Sequence, residues 1–257
     1  MNRMPGRDDY TAYLIGIDDT DNASSRGTGF LSRKLAQALF SSGLAMVDSI
    51  TRHQLFVHPG IRYTSQNSSA CMKVYHTEFQ SLIAFCEDFI LKNSAAGSDA
   101  GLCIAPQEHE NPLLITWGND AKNTILGLEE ARLIADKSGL YLKGLTGNFE
   151  GMIGALAAVG LRMGGNDGRF IWRKRNKELR DFRPGIVSVK QVCEDLELDA
   201  IINLEGDKPG PDDRILMNDW VRPVLQNNKA LLIVEKQENH NQYEWKLTPK
   251  EIIRSIS

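Results

Sequence analysis

Tyr13-Leu14-Ile15-Gly16-Ile17 runs directly into Asp18-Asp19-Thr20-Asp21. An apolar, partly β-branched run that stops at carboxylates reads as a buried strand ending in a site-forming turn. α/β sheets place ligands at this carboxyl end of a strand. Acids this close repel and raise one another's pKa unless a cation intervenes. A divalent metal removes the conflict, and magnesium carried on a nucleotide is held by one or two carboxylates plus phosphate oxygens. Asp18, Asp19 and Asp21 are therefore the expected metal ligands and the centre of any catalysis. Asp and Thr are also good turn and cap residues, so different members of the group can take structural and chemical parts.

Ser24-Ser25-Arg26-Gly27-Thr28-Gly29 follows at once, and Leu31, Leu35, Ala38 and Leu39 then recur at helical spacing up to Gly43. Glycines let a backbone approach a ligand, and helix-start N–H groups attract phosphate, so Gly27 and Gly29 are expected at the nucleotide. Further strands are expected at Met46–Ile50 and Ala70–Tyr75, and an amphipathic helix from Phe79 to Ile90. Arg52 and Arg62 flank the polar loop between those strands, where bidentate contacts would clamp a phosphate. The same composition also fits an exposed hairpin connection.

Asn93 to Gly101 is small and polar without periodicity, which reads as a linker. It divides the chain into 1–100, a nucleotide-binding domain, and 101–184, a second α/β layer. That layer holds a helix over Ile125–Ala135, a strand at Leu140–Leu142 and a small-residue helix from Met152 to Leu161. The Gly-rich turn before this last helix puts Gly147, Glu150 and Gly151 forward as a second substrate site. Residues 185–257 read as a small β-rich segment, with a helix over Val187–Leu198. Its hairpin has strands Val221–Leu225 and Ala230–Val234 around Gln226-Asn227-Asn228-Lys229.

At 257 residues, with 42% hydrophobic and 25% charged residues, the chain can bury a substantial core. Its net charge of −3 argues against broad non-specific nucleic-acid binding, which needs many Lys and Arg to release counterions. One basic run, Arg162, Arg169, Arg173, Lys174, Arg175 and Lys177, surrounds Phe170 and Trp172, a pattern of solvated faces and also of RNA contacts. The four cysteines form no C-x-x-C pair, so neither a zinc ribbon nor a disulfide framework is expected. No stretch approaches the ~20 apolar residues of a membrane span, and the first residues carry no apolar signal core. A cytoplasmic protein with no membrane association is the expectation.

Taken together, Ile15 to Asp21, the loop from Arg52 to Ala70 and Met152 to Gly160 resemble the archaeal isoleucine-tRNA 2-agmatinylcytidine synthetases, in the family's order from about Tyr13 to Lys174. The resemblance implies two ferredoxin-like α/β layers, the first kinase-like, with ATP and magnesium at the Asp turn. It adds Asn67 to the nucleotide-binding residues Gly27, Gly29, Arg52 and Arg62. Where the family has Gly-Met-Cys-Thr-Thr, this chain has Gly27-Thr28-Gly29-Phe30-Leu31, which leaves Thr28 as the catalytic threonine. The family's zinc ribbon has no counterpart. The expectation is a magnesium- and ATP-dependent transferase or ligase acting on a nucleotide or small molecule. The alternatives are a non-catalytic nucleotide sensor or RNA-binding protein, or a tRNA-modifying enzyme. The resemblance favours tRNA as a partner; the acidic net charge sets it second.

Overall fold

The structure, a computed structural model, describes residues 10–64, 66–107, 110–173, 177–238 and 242–257. The chain forms two compact units, Met1–Gly164 and Gly165–Ser257.

The first unit opens with β1 (Thr11–Asp18), α1 (Thr28–Ser41), β2 (Met46–Gln54), β3 (Ser68–His76), α2 (Phe79–Asn93) and β4 (Gly101–Pro106). Its strands pair antiparallel in the order β4-β1-β3-β2. This is the split β-α-β-β-α-β arrangement of ferredoxin-like folds. The Phe79 helix starts where the sequence places it because the Glu78 carboxylate accepts from the amides of Gln80 and Ser81 at 2.9 and 2.6 Å. Residues beyond β4 add α3 (Pro112–Asp120), α4 (Leu128–Ser138), β5 (Tyr141–Gly144) and α5 (Gly151–Gly164). β5 extends the same sheet beside β4.

The α/β class is as expected, with helices on both faces of this sheet. Leu14 of β1 joins a core with Ala155, Leu156 and Val159 of α5. On the alternate side of the strand, Tyr13 stacks on Phe79 of α2 with ring centroids 5.4 Å apart. A strand covered on both faces reads as a continuous apolar run, which is the sequence pattern of β1. The boundary expected near residue 100 falls inside this unit, because β4 is hydrogen-bonded between β1 and β5. The division lies after Gly164 instead of after residue 184.

α5 lies close on the sheet because both surfaces lack side chains where they meet. A Cβ added at Gly16 would stand 2.1 Å from the Ala155 carbonyl oxygen, and one at Gly101 would stand 2.1 Å from the Gly151 carbonyl carbon. Gly160 gives α3 the same close approach, since a Cβ there would stand 1.9 Å from the Leu114 oxygen. Ile125 lies outside the helix expected around it: α4 begins at Leu128, with Gly127 as its N-cap.

The second unit is β-rich. It contains β6 (Arg169–Arg173), β7 (Lys177–Glu178), β8 (Gly185–Ser188), α6 (Val189–Leu196), β9 (Ala200–Ile202) and β10 (Arg214–Met217). β11 (Val224–Gln226), β12 (Lys229–Lys236), β13 (Trp245–Leu247) and α7 (Lys250–Ser255) complete it. The expected hairpin is present as β11 and β12, turning through Asn227 and Asn228 at φ 50° and 59°. Two left-handed residues are what a two-residue hairpin loop of type I′ requires. The helix expected over Val187–Leu198 is shorter, because β8 takes residues up to Ser188, whose hydroxyl then caps α6 through the Gln191 amide.

The arginines of the basic run that the structure describes do not form a solvated face. Arg162, Arg169 and Arg173 are buried. Arg162 donates to Ser49 Oγ at 2.7 Å, and Arg173 donates from Nε to the Leu196 carbonyl at 3.3 Å and from Nη2 to that of Glu197 at 2.5 Å. Lys174 and Arg175 lie outside the described residues. All four cysteines are free thiols, with Cys71, Cys86 and Cys103 buried. Among the described residues no helix is long and apolar enough to cross a membrane.

Gly16→Ala is expected to destabilise the protein by about 1–3 kcal/mol, since the new methyl must push α5 off β1. Urea denaturation followed by circular dichroism reads this directly. An unchanged midpoint would mean that the helix can lift at no cost.

Candidate functional site

β1 ends at Asp18, and the chain turns sharply there because Asp19 adopts the left-handed conformation at φ 49°. Short polar side chains tolerate that region better than most. The turn is then locked onto the start of α1. Asp21 Oδ1 accepts from the Thr28 amide at 3.1 Å and from its hydroxyl at 3.0 Å. Thr28 Oγ1 in turn accepts from the amide and hydroxyl of Thr20 at 3.3 and 3.2 Å. Asp21 Oδ2 accepts from the Thr64 hydroxyl at 2.6 Å, which ties down the loop between β2 and β3.

A second set of groups arrives from β4 and α5. Asp18 is in register with Gly101, so the residues just before β4 meet the end of β1. Asp99 is buried there, its Oδ1 accepting from the Asn148 amide at 2.5 Å and its Oδ2 lying 3.1 Å from Arg62 Nη1. Arg62 also donates to the Gly97 carbonyl at 3.3 Å. Gly147 is left-handed at φ 57°, and a Cβ there would stand 1.8 Å from Asp99 Oδ1. A Cβ at Gly154 would stand 1.8 Å from Asp18 Oδ2, so the first turn of α5 presses on that carboxylate.

Between these groups lies a cleft of about 340 Å³, within the size range of small-molecule sites. Of the residues expected at the site, Asp18, Asp19, Asp21, Thr28, Arg62, Asn67, Glu150 and Gly151 line it. Gly27, Gly29, Arg52 and Gly147 do not. Gly27 precedes α1 with φ −61°, a backbone conformation open to any residue, and the Thr28 amide that it would present is taken by Asp21. Arg52 binds Gln66 Oε1 at 3.1 Å and still lowers the pKa of Asp18 through its charge. Asp99, Tyr63, Thr64, Asn148 and Gly154 belong to the site and were not foreseen. Asp99 carries a readable signal: it stands just before the apolar run Leu102–Ala105, as Asp18 stands just after one.

The electrostatics separate the acids. Burial, reinforced by the charges of Asp19 and Asp21, pushes the Asp18 carboxyl up to about 7, against a lowering by the backbone hydrogen bond at Asp19 and by Arg52. Burial and the neighbouring Asp99, Asp21 and Glu150 push Asp19 up to about 6, against Arg62. Two carboxyls held short of full ionisation near neutral pH call for a cation. Among the described residues no group of three or more His, Cys, Asp or Glu is arranged to hold a metal ion. Asp21 is committed on both oxygens to Thr28 and Thr64. Of the three acids of the turn, Asp18 and Asp19 remain, the carboxylate number that magnesium takes when phosphate oxygens complete its shell. The residues present therefore fit a nucleotide-borne magnesium better than a metal held by protein alone.

The raised pKa has a defined sign in stability. A carboxyl whose folded value lies near 7 against 3.8 contributes stability at low pH that is lost as pH rises through 7. Asp18→Asn, which cannot ionise, is expected to unfold at a higher temperature than the parent at pH 8. The gap should close toward pH 4. A parent more stable than the variant at pH 8 without ligand would contradict the strained carboxylate.

No family model matches the sequence. An uncharacterized protein of Methanocaldococcus jannaschii is 26% identical over 150 residues, which are 58% of this chain and 49% of that protein. The chain thus spans about half the length of the curated relative it matches. Among solved structures, apo TiaS, a tRNA agmatidine synthetase, aligns with a TM-score of 0.51 at 22% identity, over 58% of this chain and 35% of its own. A tRNA fluorescent labeling enzyme aligns at 0.52 and 23%, and a complex of TiaS with tRNA, AMPCPP and agmatine at 0.51 and 22%, each over 58% of this chain and 36% of its own. At such identities the likeness shows a TiaS-like fold.

Proposed function

We propose that the first unit binds a magnesium–ATP complex and either transfers a phosphoryl group to a small-molecule or nucleotide acceptor or couples ATP cleavage to its ligation. The observation that carries this reading is the pair Asp18 and Asp19, two carboxyls with raised pKa at the end of β1 facing a cleft that Arg62 also lines. Magnesium there would neutralise polyphosphate charge, and phosphoryl transfer is catalysed mainly by such neutralisation and by positioning. Arg62, whose side chain is 64% exposed on its loop while its terminal nitrogens bind Asp99 and the Gly97 carbonyl, would add its positive charge beside the phosphates. Asp21 and Thr28 act as positioning residues, since their bonds hold the turn and the Thr64 loop together. Glu150 and Gly151, on the wall formed by the start of α5, border the space left for the acceptor.

The names of the solved neighbours favour a second reading, in which the acceptor is a tRNA. Their TiaS-like fold and ATP-analogue complex support the nucleotide as well. The basic run offers this reading little, because three of its arginines are buried. A nucleotide sensor without turnover would use the same cleft and differ only in releasing no product.

Calorimetry of the chain with ATP is expected to show binding only when magnesium is present. Asp18→Asn should weaken that binding by at least about 100-fold, as losing a metal ligand exceeds the loss from its supporting contacts. Equal affinity in parent and variant would remove the site. Phosphate or pyrophosphate release measured with and without total tRNA then separates the readings: stimulation by tRNA favours RNA modification, and binding with no release under either condition favours the sensor.

A further inference from the structure

Four acids line the cleft: Asp18, Asp19, Asp21 and Glu150. Asp21 is held on both oxygens by Thr28 and Thr64, and Asp18 and Asp19 are the carboxyls that would carry magnesium. Glu150 differs from all three. The residue is exposed, and among the described residues none binds its carboxylate through a hydrogen bond or an ion pair. It nevertheless stands near enough to the acid turn for its charge to act on Asp19. Among the described residues no His, Lys or Cys lines the cleft, and Tyr63 brings only a phenol hydroxyl, a poor proton acceptor. Glu150 is thus the one cleft-lining side chain described that can take up a proton without breaking a bond of the site or leaving the metal.

The backbone that delivers Glu150 is strained. Phe149 is left-handed at φ 69°, an outlier for a bulky residue. Such strain persists where the surroundings over-determine it, and it clusters at functional sites. Here the Asn148 amide is fixed on Asp99 Oδ1, and the Met152 amide donates to the Phe149 carbonyl at 3.0 Å. The ring fills the space over Gly144 of β5, where an added Cβ would stand 2.2 Å from Phe149 Cβ. Glycine at 149 would adopt this backbone without strain. The chain instead keeps a ring that is 40% exposed. Pegged on β5, it fixes the direction in which the next residue, Glu150, leaves the turn.

We propose that Glu150 is the catalytic base of this cleft, taking the proton of an acceptor hydroxyl as that oxygen attacks the γ-phosphorus of ATP, and that Phe149 positions it. The assignment rests on the magnesium–ATP reading and adds a catalytic residue and an acceptor class to the same site. The new O–P bond forms as the bond from the γ-phosphorus to the β–γ bridging oxygen breaks. ADP leaves with that electron pair, and the hydroxyl proton ends on a Glu150 carboxylate oxygen. Protein kinases use a carboxylate in this way to accept the proton of a substrate hydroxyl. Where no acceptor is supplied, water provides the hydroxyl.

The test is ATP hydrolysis by the full chain in magnesium, measured beside calorimetric ATP affinity. Glu150→Gln keeps the size of the side chain and removes its capacity to take the proton. It is expected to lower kcat for phosphate release by about 100-fold or more, while ATP affinity stays within about fivefold of the parent. Phe149→Gly should lower kcat by about 10- to 100-fold at unchanged KM for ATP, and Phe149→Tyr, which keeps the ring, should run at the parent rate. Equal hydrolysis by Glu150→Gln and the parent would overturn the assignment while the nucleotide reading stands. So would an ATP affinity lost along with the rate, which would place Glu150 with the metal. An unchanged kcat in Phe149→Gly would overturn the positioning part. ATP bound by the parent with no phosphate released, in water or with total tRNA, would take away the enzyme reading and the catalytic base together.

Discussion

The close approach of α5 to β1 and β4 is the constraint on which the first unit depends. Three backbones meet where Gly16, Gly101 and Gly151 carry no side chain, and a fourth glycine, Gly154, gives up its Cβ space to the Asp18 carboxylate. Packing and site geometry are therefore one arrangement. The helix that completes the core also pins the carboxyl that would hold the metal, and a larger residue at any of these glycines would disturb both. Placing chemistry on such rigid elements is how precise sites are built.

A second division runs through the acids themselves. Asp21 is spent on Thr28 and Thr64, and Asp99 on Asn148 and Arg62, so each fastens one loop to the rim of the cleft. Asp18 and Asp19 have no such side-chain fastening among the described residues, and burial keeps them from ionising freely. Uncompensated carboxyls lower the stability of the ligand-free protein, a cost that functional sites commonly carry and well-packed cores offset. Binding of a cation would reverse the sign of that contribution.

Much of this was legible in residue order. The Asp turn, α1, the β2–β3 pair, α2 and the Asn-Asn hairpin follow from periodicity and turn chemistry, because each is a local pattern. β4 was hidden because its short apolar run follows a stretch of small polar residues that reads as a linker, and only pairing with β1 makes it a central strand. The same pairing brings Asp99 to Asp18 across the sheet, a long-range contact that spacing along the chain cannot express. Arg169 and Arg173 misled in the opposite direction. Charges in a row suggest a solvated face, yet β6 buries both, and Arg173 finds carbonyl partners at the end of α6. For Gly27 the composition pointed to a phosphate loop, whereas the side chain of Asp21 had already taken the helix-start amide.

The central claim is that Asp18 and Asp19 hold a divalent metal only together with nucleotide phosphates. Crystals grown with manganese and a non-hydrolysable ATP analogue, and with manganese alone, test it through the anomalous signal of the metal. The account predicts a peak within about 2.0–2.3 Å of a carboxylate oxygen of Asp18 or Asp19 when the analogue is present, shared with phosphate oxygens, and none with manganese alone. A peak at this site without nucleotide, or a bound nucleotide whose metal contacts neither carboxylate, would contradict it.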